Sequence, residues 1–453
     1  MRAKRFVAAL FLAMAFISLA LLPSFGAKAY AADEIKVGII GPMKFVYGED
    51  MKKCSEMAAE KINAAGGVKV QGKSYKIVLR HADDNDFLSV PDAVSAMERL
   101  ATVDKVKYVI GGMRTEAVLA QQDIMADNKM IFLGTGSAHD EQCLRVGRDY
   151  NRYKYWFRVL PSCIRDENLS YVALTVPVIE ALKKMGIKKP RVAIMADKAQ
   201  WAEPMVKGAQ ELYPLLGCEV VGTWRPSFNA TTVTAELSAI KTAGAHMIYN
   251  LVAGAPGNVI SQTWGDLQIP AALTGVNNEA GKTSHWKTTN GKCNYIQTAL
   301  GLAEAPMTSK TQPFIAEFKK RYKTEETPVY TGYGAYDSLY ILKEAMERAG
   351  SLDPDAIVPE LEKTNYIGVT GVMAFSPRGD KQPHDVIWGP DKYTPFAMQW
   401  RDGKQYIIWP DGREFPPALI AAGAPSGWDK KKIKGTVDYV LPPWVVEYWK
   451  DKK

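Results

Sequence analysis

The stretch FLGTGSAHDE, residues 132–141, ends an apolar run in a cluster of glycine and hydroxyl residues. Thr135 and Ser137 flank Gly136, so two hydroxyls and several backbone N–H groups can converge on one small polar ligand. The same stretch lacks the third glycine of a dinucleotide-binding loop. The five histidines have no metal-ligand spacing, and no nucleophile–base pair stands out. HADDNDF (81–87) carries carboxylates like those of a calcium loop, without its glycine or its distal glutamate. It reads as strand-end capping, with Asp83 or Asp84 near the rim of a cleft. These residues point to ligand binding; no enzyme activity, metal or cofactor is expected.

Such a loop works only where regular elements hold it at a strand end. IKVGII (35–40), YKIVLR (75–80), VKYVIGG (106–112) and MIFLGTG (130–136) read as strands. Helices are expected from about Glu49 to Ala65 (stopped by Gly66-Gly67), from near Pro91, and from about Thr115 to Asp127. The pattern then restarts. A helical stretch covers about Arg165 to Met185. RVAIMAD (191–197), CEVVGTW (218–224), HMIYNLV (246–252) and AALTG (271–275) alternate with helices near 202–216, 232–243 and 257–267. The last third adds helices near 312–322, 332–349 and 354–363, then the short β-like pieces VMAFS, DVIWG, FAMQW and QYIIWP. Alternation of this kind gives an α/β class with parallel sheets. Two such sets imply two lobes with a cleft between them, and ligands of open α/β sheets sit beyond the carboxyl ends of the strands.

The residues just after each strand are therefore the candidates. Tyr47 follows the first strand, Arg114 and Thr115 the third, Trp201 the strand RVAIMAD, and Asn277, Asn278 and Glu279 the strand AALTG. Hydroxyl loops, helix N–H groups and an arginine together suit a carboxylate. The basic, aromatic stretch CLRVGRDYNRYKYWFR (143–158) reads as a solvated loop, with a cleft-edge loop that attracts anions as the alternative.

The 453-residue chain carries a formal charge of +8. Arg2, Lys4 and Arg5 precede an apolar run from Phe6 to about Leu22 and the small-residue stretch AKAYAADE. This is the pattern of a cleavable signal peptide over residues 1–31, cut after Ala29-Tyr30-Ala31, and it predicts export. Cleavage removes Arg2, Lys4, Arg5 and Lys28 and takes the charge from +8 to +4. With no dense Lys/Arg face, nucleic acid is not expected as a partner. Five cysteines (Cys54, Cys143, Cys163, Cys218 and Cys293) form no C-x-x-C pair. An oxidising compartment permits disulfides, and the odd count leaves at least one thiol free or intermolecular. A Cys143–Cys163 bridge would clip a loop, and the pairing stays open.

Taken in order, IKVGIIGPM…YG, AAEKINAAGGV, ADD, KYVIGG, MIFLGTGSA, YWFRVLP, RVAIMADKAQW, YDSLY and QWRDGKQYIIWP cover nearly the whole chain after the leader. This set resembles the periplasmic leucine/isoleucine/valine-type substrate-binding proteins of ABC transporters. The resemblance implies a type I periplasmic-binding fold, two Rossmann-like lobes with parallel central sheets joined by three hinge crossovers. The crossovers are expected near residues 160, 281 and 370, with a first lobe of 32–160 plus 282–370 and a second of 161–281 plus 371–453. It further implies a ligand site at Tyr47, Arg114, Thr115, Thr135, Gly136, Ser137, Trp201 and a position near Ala253. The implied role is a periplasmic receptor that delivers a small carboxylate or amino acid to a membrane permease. The alternative is a sensing module of the same fold acting with a signalling partner.

Two departures bear on the ligand. Amino-acid binders of the family place an acidic residue after the G-x of LTGVNN, where it pairs with an ammonium; here the position is Asn277, with Glu279 two residues on as a substitute. Arg114 stands where those binders usually carry a serine, and a guanidinium in a cleft favours an anion. Unless Arg114 points to solvent, the two together favour a carboxylate without an ammonium, flanked by Tyr47 and Trp201.

Overall fold

Short runs of Val, Ile and Leu pair side by side because their branched side chains fill both faces of a covered sheet. In the computed structural model, which describes residues 33–227, 230–299 and 305–452, these runs build two large sheets. The expected signal peptide lies outside the described residues.

The first sheet contains β1 (Asp33–Gly41), β2 (Val68–Val70), β3 (Lys73–Asp83), β4 (Tyr108–Gly111), β5 (Ile131–Gly134) and β6 (Trp156–Arg158), in the order β2-β3-β1-β4-β5-β6. The pairs β1–β4, β4–β5 and β5–β6 are parallel, and β2–β3 is an antiparallel hairpin at the edge. The helix Thr115–Asp127 spans the expected residues, and the helix Tyr330–Ala349 packs along Val46–Ala64 beside this sheet.

The second sheet takes β7 (Arg191–Ala196), β8 (Glu219–Trp224), β9 (Met247–Val252), β10 (Ala272–Asn277) and β11 (Gln297–Ala299). After the small pair β12 (Tyr366–Ile367) and β13 (Val372–Met373), the chain returns to it as β14 (Ala397–Arg401) and β15 (Lys404–Trp409). The order is β15-β14-β11-β10-β9-β7-β8. Its β8-β7-β9-β10-β11 part is parallel, and β14 and β15 add antiparallel. Two α/β sheets with parallel centres, as expected, thus carry the fold. Among the described residues no helix is long and apolar enough to cross a membrane.

Several local expectations change. β11 pairs with β10 and β14, so residues up to Ala299 stay with the second sheet and the crossing expected near 281 falls after them. A three-residue strand is too short to give a periodic signal. The crossing expected near 370 also falls later: His384 O accepts the Arg158 N–H at 2.9 Å, and the Phe375 ring lies 5.1 Å from Phe157, so 375–385 lies against β6. The helix expected over 165–185 is two, Ile164–Leu174 and Val176–Lys184, because Pro177 lacks the N–H to continue the first. Residues 143–158 are not a loop. Arg145 and Arg148 pair with Glu141, and Arg152 with Asp127, which frees this basic stretch to form two short helices and the buried β6.

Candidate functional site

Parallel strands leave the N-termini of the following helices, with their unpaired N–H groups, at the carboxyl edge of each sheet. A cavity of ≈ 330 Å³ lies at those edges. From the first sheet's side it is lined by Phe87 after β3, Met113 to Glu116 after β4, Gly136 to Ala138 after β5, and Tyr330. From the second it is lined by Lys198 to Trp201 after β7, Ala253 after β9, and Val276 and Asn278 at the end of β10. Glu167 and Tyr171, on the helix that follows the first crossing at Pro161, complete it.

The loop after β4 is open to a ligand. The first-turn amides of the helix Thr115–Asp127 have no intrahelical acceptor, and Arg114 at the N-cap position gives them no side-chain cap bond. The Arg114 N–H is fixed instead by Asp86 Oδ2 at 2.7 Å, which orients the turn. Burial pushes the Asp86 carboxyl up to about 6. Thr115 Oγ1 lies 3.3 Å from Ser137 Oγ, and Gln142 donates to Ser137 Oγ at 2.5 Å, so the hydroxyls sit side by side at the cavity wall. Gly136 permits this approach: a Cβ there would lie 2.3 Å from Gly112 O. Tyr330 donates to Gly136 O at 3.0 Å and closes the loop from behind.

Of the sequence candidates, Arg114, Thr115, Gly136, Ser137, Trp201, Ala253 and Asn278 line this cavity. The other four do not. Thr135 is fully buried, with its hydroxyl unpaired and its Cβ 3.3 Å from where a Cβ on Gly334 would lie, so it faces the helix Tyr330–Ala349. Tyr47 lies beside a smaller cavity of ≈ 20 Å³; its hydroxyl donates to Ala253 O and accepts from Asn278 Nδ2 at 3.3 Å. That pair of bonds ties the first helix to the loops after β9 and β10, and burial holds the phenol above its ordinary value. Asn277 turns away from the cavity, giving its Nδ2 to Gly257 O (3.0 Å) and Ser261 Oγ (3.1 Å) and receiving the Glu279 and Ala280 N–H groups. Glu279 pairs with Lys282 at 2.8 Å and accepts from Asn258 at 3.0 Å.

Neither Arg114 nor Asn277 therefore sets the charge of the ligand in the way its residue type suggests. Arg114 faces the cavity but is already matched: its Nε meets Glu116 at 3.1 Å, and its Nη1 donates to the Asp86 and Phe87 carbonyls. The neutral Asn277 is a brace, not a ligand contact. Lys198, exposed at the rim, has no ion pair or hydrogen bond among the described residues. Sequence reading missed Glu167, Tyr171, Lys198, Tyr330 and the apolar wall of Phe87, Met113 and Val276. Glu167 lies seven residues past a predicted crossing, and its reach into the cavity depends on the angle of a helix that no local pattern reports.

Three features elsewhere are structural. GVKVQGKS (67–74) satisfies the spacing of a phosphate loop, yet it forms the β2–β3 hairpin, with Val68 paired to Tyr75, rather than the strand–loop–helix that such a loop needs. Cys163, Asp166 and Asp385 have potential ligand atoms within 4.8 Å of one another. Asp385, however, already binds Arg158 Nε at 2.8 Å and the Cys163 N–H at 3.1 Å, which makes it the anion of a buried ion pair. The five cysteines are all buried and unpaired, so the Cys143–Cys163 bridge considered from sequence is not formed. Cys143 receives Arg158 Nη2 at 3.1 Å, and burial pushes its thiol up to about 12.

The family described as periplasmic binding protein matches residues 34–388. A Leu/Ile/Val-binding protein homolog 3 from Brucella melitensis biotype 1 is 26% identical over 388 residues, 84% of this chain and 94% of its own length. Among solved structures, the branched-chain amino acid transporter substrate binding protein of Streptococcus pneumoniae, in complex with isoleucine, superposes with a TM-score of 0.67 at 19% identity, covering 83% of this chain and 99% of its own. An ABC transporter solute binding protein of R. palustris, in complex with benzoate, superposes with a TM-score of 0.65 at 16% identity, covering 83% and 95%.

Proposed function

The chain belongs to the periplasmic binding protein family, and from that premise we propose that it is an exported receptor that captures a small carboxylate or amino acid for an ABC importer. The observation that carries this reading is the ≈ 330 Å³ cavity between the strand ends of the two sheets, with hydroxyls and open amides on one wall. Thr115, Ser137 and the amides of the helix Thr115–Asp127 bind the carboxylate, helped by the positive end of the helix and by Lys198 at the rim. Phe87, Met113, Trp201 and Val276 take the apolar or aromatic body. The ligand first meets the first-sheet loops, and rotation about the crossing segments then brings Trp201, Ala253 and Asn278 over it. The bonds from Tyr47 to Ala253 and Asn278 hold the lobes together after closure. The closed form presents one surface to a membrane permease in the periplasm.

A thermal-shift panel tests the reading with isoleucine, leucine, phenylalanine, benzoate, 3-phenylpropanoate and 4-methylpentanoate. Binding to the folded state alone adds about 2.7 kcal/mol at a hundredfold excess over Kd, a readable shift. At least one compound is expected to raise Tm, with the rise reduced in Trp201→Ala. A panel that moves nothing overturns this choice of ligand class.

A further inference from the structure

Glu167 sits 4% exposed in the cavity wall, on the helix Ile164–Leu174. Tyr171, one turn on, donates to its Oε1 at 2.5 Å, and no Lys, Arg or His lies within ion-pair distance of it among the described residues. The charged and titratable groups that face it come from every side. Arg158 at the end of β6 is the nearest cation, but its guanidinium is committed to Asp385, the Ser137 and His139 carbonyls and Gln142. Asp140 and Asp385 add negative charge, and Tyr330, Tyr249 and Tyr393 present phenols. A buried carboxyl facing an apolar cavity without a cation is costly to ionise. Burial accordingly pushes Glu167 up to about 8. Structural carboxyls elsewhere in the chain have backbone donors, as Asp50 has Val329 N and Asp337 has Val369 N; Glu167 has only a phenol.

We propose that Glu167 is the counter-ion of a protonated amine on the ligand, so that the second lobe supplies its anion from the crossing helix and not from the loop after β10. This inference rests on solute capture in the same cavity. It restores an ammonium to a ligand that Asn277 and Arg114 alone had argued against, since Asn277 does not face the cavity and Arg114 is paired with Glu116. The proton balance is explicit. In the empty site Glu167 holds a proton at neutral pH; an incoming R–NH₃⁺ makes the carboxylate the favoured form, and the proton leaves to solvent. Ligand capture therefore releases roughly one proton at pH 7.

The test is titration calorimetry at pH 7 in two buffers of different ionisation enthalpy, with leucine against 4-methylpentanoate and phenylalanine against 3-phenylpropanoate. The wild type is expected to bind the amine-bearing member of at least one pair 30-fold or more tighter and to release close to a full proton with it. Glu167→Gln, which keeps an acceptor for Tyr171, is expected to lose 30-fold or more for that member and to release none, while the deaminated partner changes less than threefold. If Glu167→Gln does not fold, the wild-type proton count decides alone. Tighter binding of the deaminated members, amine binding without proton release, or a Glu167→Gln that keeps amine affinity overturns the counter-ion role and leaves solute capture intact. Binding of no member overturns the counter-ion role, and it overturns the proposed function too if isoleucine and benzoate also fail to shift Tm.

Discussion

The loops after β4 and β5 and the loop after β10 are all rich in polar residues, hydroxyls in the first two and amides with a carboxylate in the third, and their polar groups go to different places. Thr115, Ser137 and the amides of the helix Thr115–Asp127 face the cavity. Asn277 and Glu279 are consumed by Gly257, Ser261, Asn258 and Lys282 in their own lobe. The loops of the first sheet leave their donors at the cavity, while the loop after β10 gives Asn278 to the cavity and uses Asn277 and Glu279 to hold itself. The difference lies in where each hydrogen-bond capacity is satisfied, which residue type does not reveal.

Substitutions on the two sides should separate binding from stability. The largest effect is expected for Gly136→Val, which drives a branched side chain against Gly112 O. It should cost about 2–3 kcal/mol of stability by overpacking and weaken ligand binding more than about a hundredfold, read by denaturant unfolding and calorimetry. Asn277→Ala removes the brace of the closed loop and leaves Gly257 O and two N–H groups unmatched. It should lower stability by about 1–3 kcal/mol and change affinity less than about threefold.

The pH profile gives the next contrast. Glu167 is raised from an ordinary carboxyl to about 8 in the fold, so the folded state binds more protons than the unfolded between about pH 4.5 and 8. Stability from this group is full below that window and is lost as pH rises through it. Glu167→Gln should remain flatter than the wild type across pH 5–8 in urea midpoints, and parallel curves would mean that Glu167 titrates normally. Thr115→Val, on the open side, reverses the Asn277 pattern, with about tenfold weaker binding, some 1.4 kcal/mol, and an unchanged unfolding midpoint. The smallest change is expected for Glu279→Gln, whose partner Lys282 is partly exposed: under about 0.5 kcal/mol in stability and no loss of affinity. A Glu279→Gln that abolishes binding would erase the distinction between the loops.

Local pattern was enough to read the longer strands and most helices of both sheets, because β-branched runs and helix stops are short-range signals, but not the three-residue β2, β6 and β11. The helix Thr115–Asp127 begins at the residue its sequence predicts. Seven of the eleven candidate site residues line the cavity because strand ends are topologically fixed once a parallel sheet is recognised. What sequence did not carry was direction. Thr135 and Ser137 are two residues apart on either side of Gly136, and only one faces the cavity. Glu167 is a helical residue among charged neighbours, and its burial depends on the packing of its helix against the helix Ala202–Leu215 and β10, distant in sequence. The crossings were misplaced for a related reason: β11 and the 375–385 segment are held by long-range pairing of short pieces.

The proposed function holds the ligand on the open loops of the first sheet. Its most direct test is the calorimetric Kd of the compound that gives the largest thermal shift, measured for the wild type and for the Thr115→Val, Ser137→Ala double variant, with both shown to be folded by circular dichroism. A Kd at least about thirtyfold weaker in the double variant, some 2 kcal/mol, is the predicted result. Affinity unchanged within about threefold in a folded double variant would contradict the account and place the ligand's polar group elsewhere.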